Sequence, residues 1–463
     1  METKEANKMK QEDVRSKILW GAATAAYQVE GAAFCDGKGK NSWDEYYELN
    51  DLGYDGSRAV DHYHHVAEDL KLFKEIGLKS YRFSVSWSRI LPEGTGEINQ
   101  KGLDFYDFIV DTLNQYGIEP YLTLYHWDLP LPLLKKGGWL NPEVIEDYLE
   151  YCRILFSHFK GRVRLWATIN EPASEVIEGY IQGTHPPQEK NYGHAIQVSH
   201  HYNLASARAI KLFREMDMEG KIGIVLNPMP VDVLEETPEN LEARKIAYDF
   251  LSDWYIRPAL TGHYPPEMLE YCQKTYHAPV IKDTDYQLME EYTGDYLGIN
   301  YYMRRVVKAG KLDSENIEDR FSYVRVPDGE YTKWGWEIYP SGVENLLRQI
   351  YNDYGKQEII IAENGIGFDD QMNEAGEFQD DERISYLSRH LNVIEGLSRQ
   401  GIDIAAYYVW SAIDLLSWTN GYQKRYGLVG VDFETLKRSI KKSGYWYRDF
   451  IKGEISLSDM CSE

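Results

Sequence analysis

Two glutamates stand at matching places in the chain. Glu171 lies in "VRLWATINEP" and Glu363 in "EIIIAENG". Each is preceded by an apolar run, so each is expected at the end of a buried strand, pointing into a walled pocket. Two facing carboxylates suit glycoside hydrolysis, in which one attacks the anomeric carbon and the other protonates the leaving oxygen. Arg82 and Tyr302 are expected to hold Glu363 ionised, because ion pairing and hydrogen bonding to the charged form lower a carboxyl pKa. Glu171, next to Asn170, is expected to carry the raised pKa of a general acid and to switch to a base once Glu363 is esterified. A route through a covalent intermediate needs carboxyl groups about 5–5.5 Å apart, and an inverting one roughly 6.5–9.5 Å.

Other polar residues gather at the ends of apolar runs. These are Gln28, His126, Asp128, Asn170, Asn300, Tyr302, Asn364 and Trp410. Trp127, Trp334, Trp336, Trp410 and Trp418 lie in or near the same stretches and offer flat faces for sugar rings, whereas Trp166 reads as core. The loop "SWTNGYQKRY" sets Ser417, Lys424 and Tyr426 within ten residues. It is an ordinary surface turn or a cradle for an anion. Arg425 is expected to point elsewhere, in a structural ion pair.

These residues need a frame that brings strand ends together. Eight short apolar runs recur: "ILWGAATAAY", "YRFSVSW", "PYLTLYHW", "VRLWATIN", "KIGIVLN", "YLGINYY", "EIIIAENG" and "IAAYYVWSAID". Continuous rather than alternating hydrophobicity fits parallel strands buried on both faces. Amphipathic stretches separate them. One places Leu103, Tyr106, Ile109, Val110 and Leu113 on one face and ends at Gly117; another starts with Asn141 as cap and Pro142 in the first helical position. Eight such units predict an α/β fold, a (β/α)₈ barrel, over a doubly wound open sheet. The chemistry then sits where strands end and βα loops begin. Residues 17–455 are expected to form this single domain with long loop insertions, behind a flexible arm of residues 1–16.

The formal net charge of −24 argues against nucleic acid and anionic membranes as partners, so any phosphate site must be locally basic. Cys35, Cys152, Cys272 and Cys461 are isolated and read as reduced thiols. The charged N-terminal stretch lacks an apolar leader core and no run reaches membrane-spanning length, which predicts a cytoplasmic protein. His62, His64 and His65, with His194, His200 and His201, invite a metalloenzyme. They fall on helical or loop segments away from strand ends and are read as capping or packing residues, with no metal and no cofactor. A non-catalytic sugar-binding barrel is disfavoured by the presence of both carboxylates.

The motifs "WGAATAAYQVEGA", "YRFSVSWSRILP", "LYHWDLP", "TINEP", "GINYY", "WEIYP", "IAENG" and "YGLVGVDF" occur in order over nearly the whole chain. Together they resemble glycoside hydrolase family 1, which holds retaining β-glucosidases and phospho-β-glycosidases. The resemblance implies Glu171 as acid/base and Glu363 as nucleophile, with Asn300 near the sugar 2-OH or the nucleophile and Tyr302 hydrogen-bonded to the nucleophile. It implies that Gln28, His126, Asn170 and Trp410 contact the non-reducing sugar and that Trp336 lines the leaving-group side. β-Glucosidases of the family carry a Glu where this chain has Ser417, and members acting on 6-phosphorylated sugars show Ser with Lys and Tyr at the spacing of Lys424 and Tyr426. A carboxylate 4 Å from a phosphate charge would cost about 4 kcal/mol at an effective dielectric near 20. Losing it, and gaining Lys424, implies a 6-phospho-β-glucoside or 6-phospho-β-galactoside substrate; the alternative is an unphosphorylated β-glucoside or β-galactoside. Trp418 follows the Ser as in 6-phospho-β-galactosidases of the family, where 6-phospho-β-glucosidases often have a smaller residue, and Trp also follows the Glu of ordinary β-glucosidases. Oligomeric state is not legible.

Overall fold

Eight parallel strands close on themselves in the computed structural model, which describes residues 14–373 and 377–457. The barrel strands are β1 (Leu19–Ala23), β2 (Ser80–Ser84), β3 (Glu119–Tyr125), β4 (Leu165–Asn170), β5 (Lys221–Leu226), β6 (Tyr296–Tyr301), β7 (Ile359–Asn364) and β8 (Ile404–Trp410). Each pairs with its sequence neighbour, and β8 closes on β1 through the register Leu19↔Ala406 to Ala23↔Trp410. Each predicted apolar run supplies one strand, because burial between barrel interior and helical ring leaves no face for alternating polar residues. Inside, Tyr121, Tyr296 and Tyr408 pack together beneath the strand ends. The interior is a filled core rather than a pore.

The helix Gln100–Tyr116 buries Leu103, Tyr106, Ile109, Val110 and Leu113, and Gly117 terminates it at φ +70°, a left-handed conformation that glycine adopts without strain. The helix Glu143–Phe159 begins one residue later than expected. Pro142 takes the cap position itself, and Asn141 Oδ1 accepts from the Glu143 backbone N–H at 3.1 Å.

Residues 1–13 of the expected arm lie outside the described residues. The arm does not extend to residue 16, because Val14 and Arg15 are buried and Arg15 Nε donates to Glu395 Oε1 at 2.7 Å. Cys35, Cys152 and Cys272 are free thiols, and Cys461 lies outside the described residues. Among the described residues, no helix is long and apolar enough to cross a membrane.

The loop after β8 is held from behind by buried charge. Asp414 accepts from Arg425 Nη1 at 2.6 Å, from Lys441 Nζ at 2.7 Å and from the Gly427 N–H at 3.0 Å. Lys441 also donates to Asp370 at 2.6 Å, which accepts from Arg383 at 2.7 Å. Arg425 is thus committed to the frame, as the sequence suggested, while its neighbours Lys424 and Tyr426 face the other way. Removing one partner of a buried pair strands the others at a cost of about 3–5 kcal/mol. Asp414→Ala is therefore expected to lower the melting temperature by several degrees in calorimetry and to weaken substrate binding through loss of the loop's shape.

Candidate active site

The cavity at the strand ends has a volume of about 310 Å³. Glu171 and Glu363 line it together with Gln28, His126, Trp127, Asn170, Asn300, Tyr302, Trp336, Trp410, Trp418, Ser417, Lys424 and Tyr426. Of the residues expected at the site, Arg82, Asp128, Asn364 and Trp334 do not line this space, and Arg82 reaches it through its bond to Glu363.

Arg82 enters from the middle of β2 and is fully buried. Its Nη1 donates to Glu363 Oε1 at 2.8 Å, Nη2 to Asn170 Oδ1 at 2.6 Å and Nε to Thr123 Oγ1 at 3.0 Å. The Tyr302 hydroxyl donates to the other Glu363 oxygen. These contacts lower the Glu363 pKa, yet burial outweighs them and leaves it above its ordinary value. The expectation of a net depression is therefore corrected: in a cavity this enclosed, desolvation of the carboxylate is the larger effect.

Glu171 follows β4 in a left-handed conformation, φ +46°, which turns its side chain toward β6 and β7. Asn300 Nδ2 donates to Glu171 Oε1 at 2.6 Å and Ser174 Oγ to Oε2 at 2.9 Å. Asn300 also stabilises the Glu363 carboxylate, so one side-chain amide serves both acids. Burial and the charge of Glu363 push the Glu171 pKa up to about 8, against Asn300, Ser174 and Arg82. One acid is thus proton-bearing at neutral pH beside a second that holds a guanidinium and a phenol.

The neighbours form a polar and aromatic wall. Asn170 Nδ2 donates to His126 Nε2 at 3.1 Å, which fits a neutral imidazole with its proton on Nδ1; burial lowers the His126 pKa. Gln28 Nε2 donates to the Leu416 carbonyl at 3.0 Å, while its Oε1 is buried with no partner among the described residues. Trp127 Nε1 donates to the Asn170 carbonyl, and Trp336 packs edge-on to Tyr302. Trp418 stacks on Trp43 at 4.4 Å. Trp166 is core, as read from the sequence, and Trp334 lies outside the cavity against Lys424.

Two strand-end residues are not brought to the cavity. Asn364 is tied to the Tyr301 carbonyl, Tyr386 and Tyr407, and Asp128 is buried behind, with burial raising its pKa to about 8. The histidines singled out in the sequence sit on outer helices. His62 bonds Asp69 and His200 bonds Asp285. Among the described residues, no group of three or more His, Cys, Asp or Glu is placed to hold a metal ion.

Sequence reasoning missed Ser174, Glu178, His185, Asn227, Met229, Met303 and Arg305, which also line the cavity. Asn227 was within reach: it ends the run "KIGIVLN", where the strand-end rule applies. Arg305 was not, because it belongs to a short loop strand, Arg305–Ala309, outside the barrel.

The model of Glycosyl hydrolase family 1 matches residues 10–455. Beta-glucosidase A of Acetivibrio thermocellus is 41% identical, covering 94% of this chain and 97% of its own length. A 6-phospho-beta-glucosidase of Bacillus subtilis is 39% identical, covering 93% and 96%. The solved structure of a family 1 beta-glucosidase from Thermotoga maritima superposes with a TM-score of 0.89 at 40% identity, covering 94% and 97%.

The pH dependence of hydrolysis follows from the pair. With Glu171 as the proton donor that the sequence led us to expect, kcat/KM should fall as pH rises through about 8. The acid limb, where Glu363 takes up its proton, should move to higher pH in variants lacking Arg82, whose charge lowers the Glu363 pKa. A pH series with an aryl β-glycoside checks this, and Glu171→Gln should abolish the alkaline limb.

Proposed function

The chain belongs to Glycosyl hydrolase family 1, and from that membership we propose that this retaining β-glycosidase hydrolyses 6-phospho-β-glycosides. Glu363 is the nucleophile. Its carboxylate attacks the anomeric carbon while Glu171 gives its proton to the departing oxygen, leaving a glycosyl ester. A water molecule then attacks the same carbon, Glu171 takes the water's proton, and the ester bond returns to Glu363 as a carboxylate. Arg82, Tyr302 and Asn300 hold the nucleophile and its charge.

The observation that carries the phosphate reading is the state of Lys424. It is 8% exposed, lines the same cavity as both glutamates, and has no acidic partner among the described residues. Its ammonium lies over the rings of Trp334 and Trp336, 5.1 and 5.4 Å from their centroids, and burial lowers its pKa. The rings give this cation a cation–π contact but no counter-charge, which a dianionic ligand would supply. Ser417 and Tyr426 supply hydroxyl donors alongside, and a Ser417 contact tempers the Tyr426 pKa, which burial raises to about 12. In a chain of net charge −24, this local basic site is where a phosphate would be drawn.

The second reading is a β-glucosidase acting on unphosphorylated sugars, favoured by the name of the 41% identical relative. Hydrolysis of p-nitrophenyl β-glucoside and β-galactoside, each with and without a 6-phosphate, separates the two. Preference for the phosphorylated pair is expected. Lys424→Ala should then cut kcat/KM for the 6-phosphates about 10- to 100-fold, the value of a hydrogen bond to a charged group, and much less for the plain sugars. Equal losses on both substrate types would remove the phosphate assignment.

A further inference from the structure

We propose that Ser174 is a positioning residue for Glu171: its hydroxyl, fixed in direction by Asn227, stabilises the ionised carboxylate and so accelerates the second half of the double displacement. This inference rests on the reading of Glu171 as acid/base.

Once Glu171 is ionised, the geometry leaves the Ser174 proton one destination. Ser174 Oγ is 2.9 Å from Glu171 Oε2 and accepts from Asn227 Nδ2 at 2.8 Å. A hydroxyl carries one proton and the amide nitrogen only donates, so the proton of Ser174 points at the carboxylate. The opposite amide orientation would set Asn227 Oδ1 and Glu171 Oε2 competing for that single proton. In the observed one, Asn227 Oδ1 is buried with no partner among the described residues, although Asn227 lines the cavity.

The arrangement is rigid because it is local at one end and anchored to the barrel at the other. Ser174 sits three residues after Glu171, and its backbone N–H donates to the Glu171 carbonyl at 3.1 Å. Asn227 directly follows β5, the strand whose Val225 carbonyl receives the Glu171 backbone N–H at 2.8 Å.

The two half-reactions ask opposite things of Glu171. In the first it must hold a proton, and the charge of Glu363 raises its pKa. In the second it must be an anion able to take a proton from water. Esterification removes the charge of Glu363, but burial remains and still opposes ionisation. Donors to both carboxylate oxygens offset that burial: Asn300 on Oε1 and Ser174 on Oε2. Asn300 is shared with Glu363, whereas Ser174 serves Glu171. Other charged or titratable groups bear on the site: Glu363 from β7, Arg82 from β2, Tyr302 after β6, and His126, His185 and Glu178 in the cavity wall. His126 and His185 are lowered by burial. Glu175, on the same turn as Ser174, accepts from Tyr125 at 2.9 Å.

The test compares wild type, Ser174→Ala, Ser174→Thr and Asn227→Ala in the full chain. The substrate is a 2,4-dinitrophenyl β-glycoside, plain or 6-phosphorylated as the wild type prefers. This leaving group needs no proton, so breakdown of the glycosyl-enzyme limits turnover. Ser174→Ala is expected to lower kcat about tenfold, the loss of one hydrogen bond to a charged group, with KM falling alongside as the intermediate accumulates. Added azide should recover turnover, since it attacks without giving up a proton. The alkaline limb of kcat/KM on a p-nitrophenyl glycoside should move upward by up to one pH unit. Ser174→Thr should restore both, and Asn227→Ala should shift both in the same direction by less. An unchanged KM with a fixed alkaline limb, whatever the fall in kcat, would overturn the proposal. Wild-type turnover in Glu171→Ala would instead overturn the acid/base reading beneath it.

Discussion

The buried guanidinium of Arg82 is the constraint on which the site depends. It reaches from β2 to Thr123 on β3, Asn170 on β4 and Glu363 on β7, with the Ala362 carbonyl as a further acceptor. Burying an isolated cation costs several kcal/mol or more. The fold offsets that cost with one carboxylate and a carbonyl from β7, an amide oxygen from β4 and a hydroxyl from β3 of one closed barrel. Only closure makes those four strand ends converge. Below it lies the Tyr121 ring, 5.5 Å from the guanidinium carbon, so the cation is bounded by an aromatic floor and by the Glu363 carboxylate.

The two glutamates differ because their partners do. Both are buried and both are shifted upward by desolvation. Glu363 has a full positive charge in contact, whereas Glu171 has neutral donors and the negative charge of Glu363 nearby. The same residue type on the same scaffold thus acquires two chemical characters.

Several polar atoms at the cavity have no protein partner among the described residues: Gln28 Oε1, Asn227 Oδ1 and Asn300 Oδ1. Within a packed core such atoms would be a defect. On a wall that receives a hydroxyl-rich ring they are acceptors held ready. The proposed phosphate cradle follows the same logic with charge. The acids that would neutralise a basic loop are spent behind it, where Asp414 and Asp370 hold Arg425, Lys441 and Arg383. Lys424 is left facing the cavity.

The sequence by itself determined the eight strands, their parallel order and the residues at their ends, because burial on both faces writes itself as continuous apolar runs and the next polar residue marks the strand's mouth. It also determined the two glutamates and the Ser417, Lys424 and Tyr426 grouping. Tertiary structure alone decided which polar strand ends face the cavity: Asn170 and Asn300 do, while Asp128 and Asn364 turn into the frame. It alone supplied the net direction of the Glu363 pKa, the docking of Val14 and Arg15, and Arg305 as part of the wall. Each of these is fixed by partners far away along the chain, such as Arg82 and Glu363. A local pattern records how a segment is buried, whereas the balance between desolvation and charge at one atom depends on everything that closure brings against it.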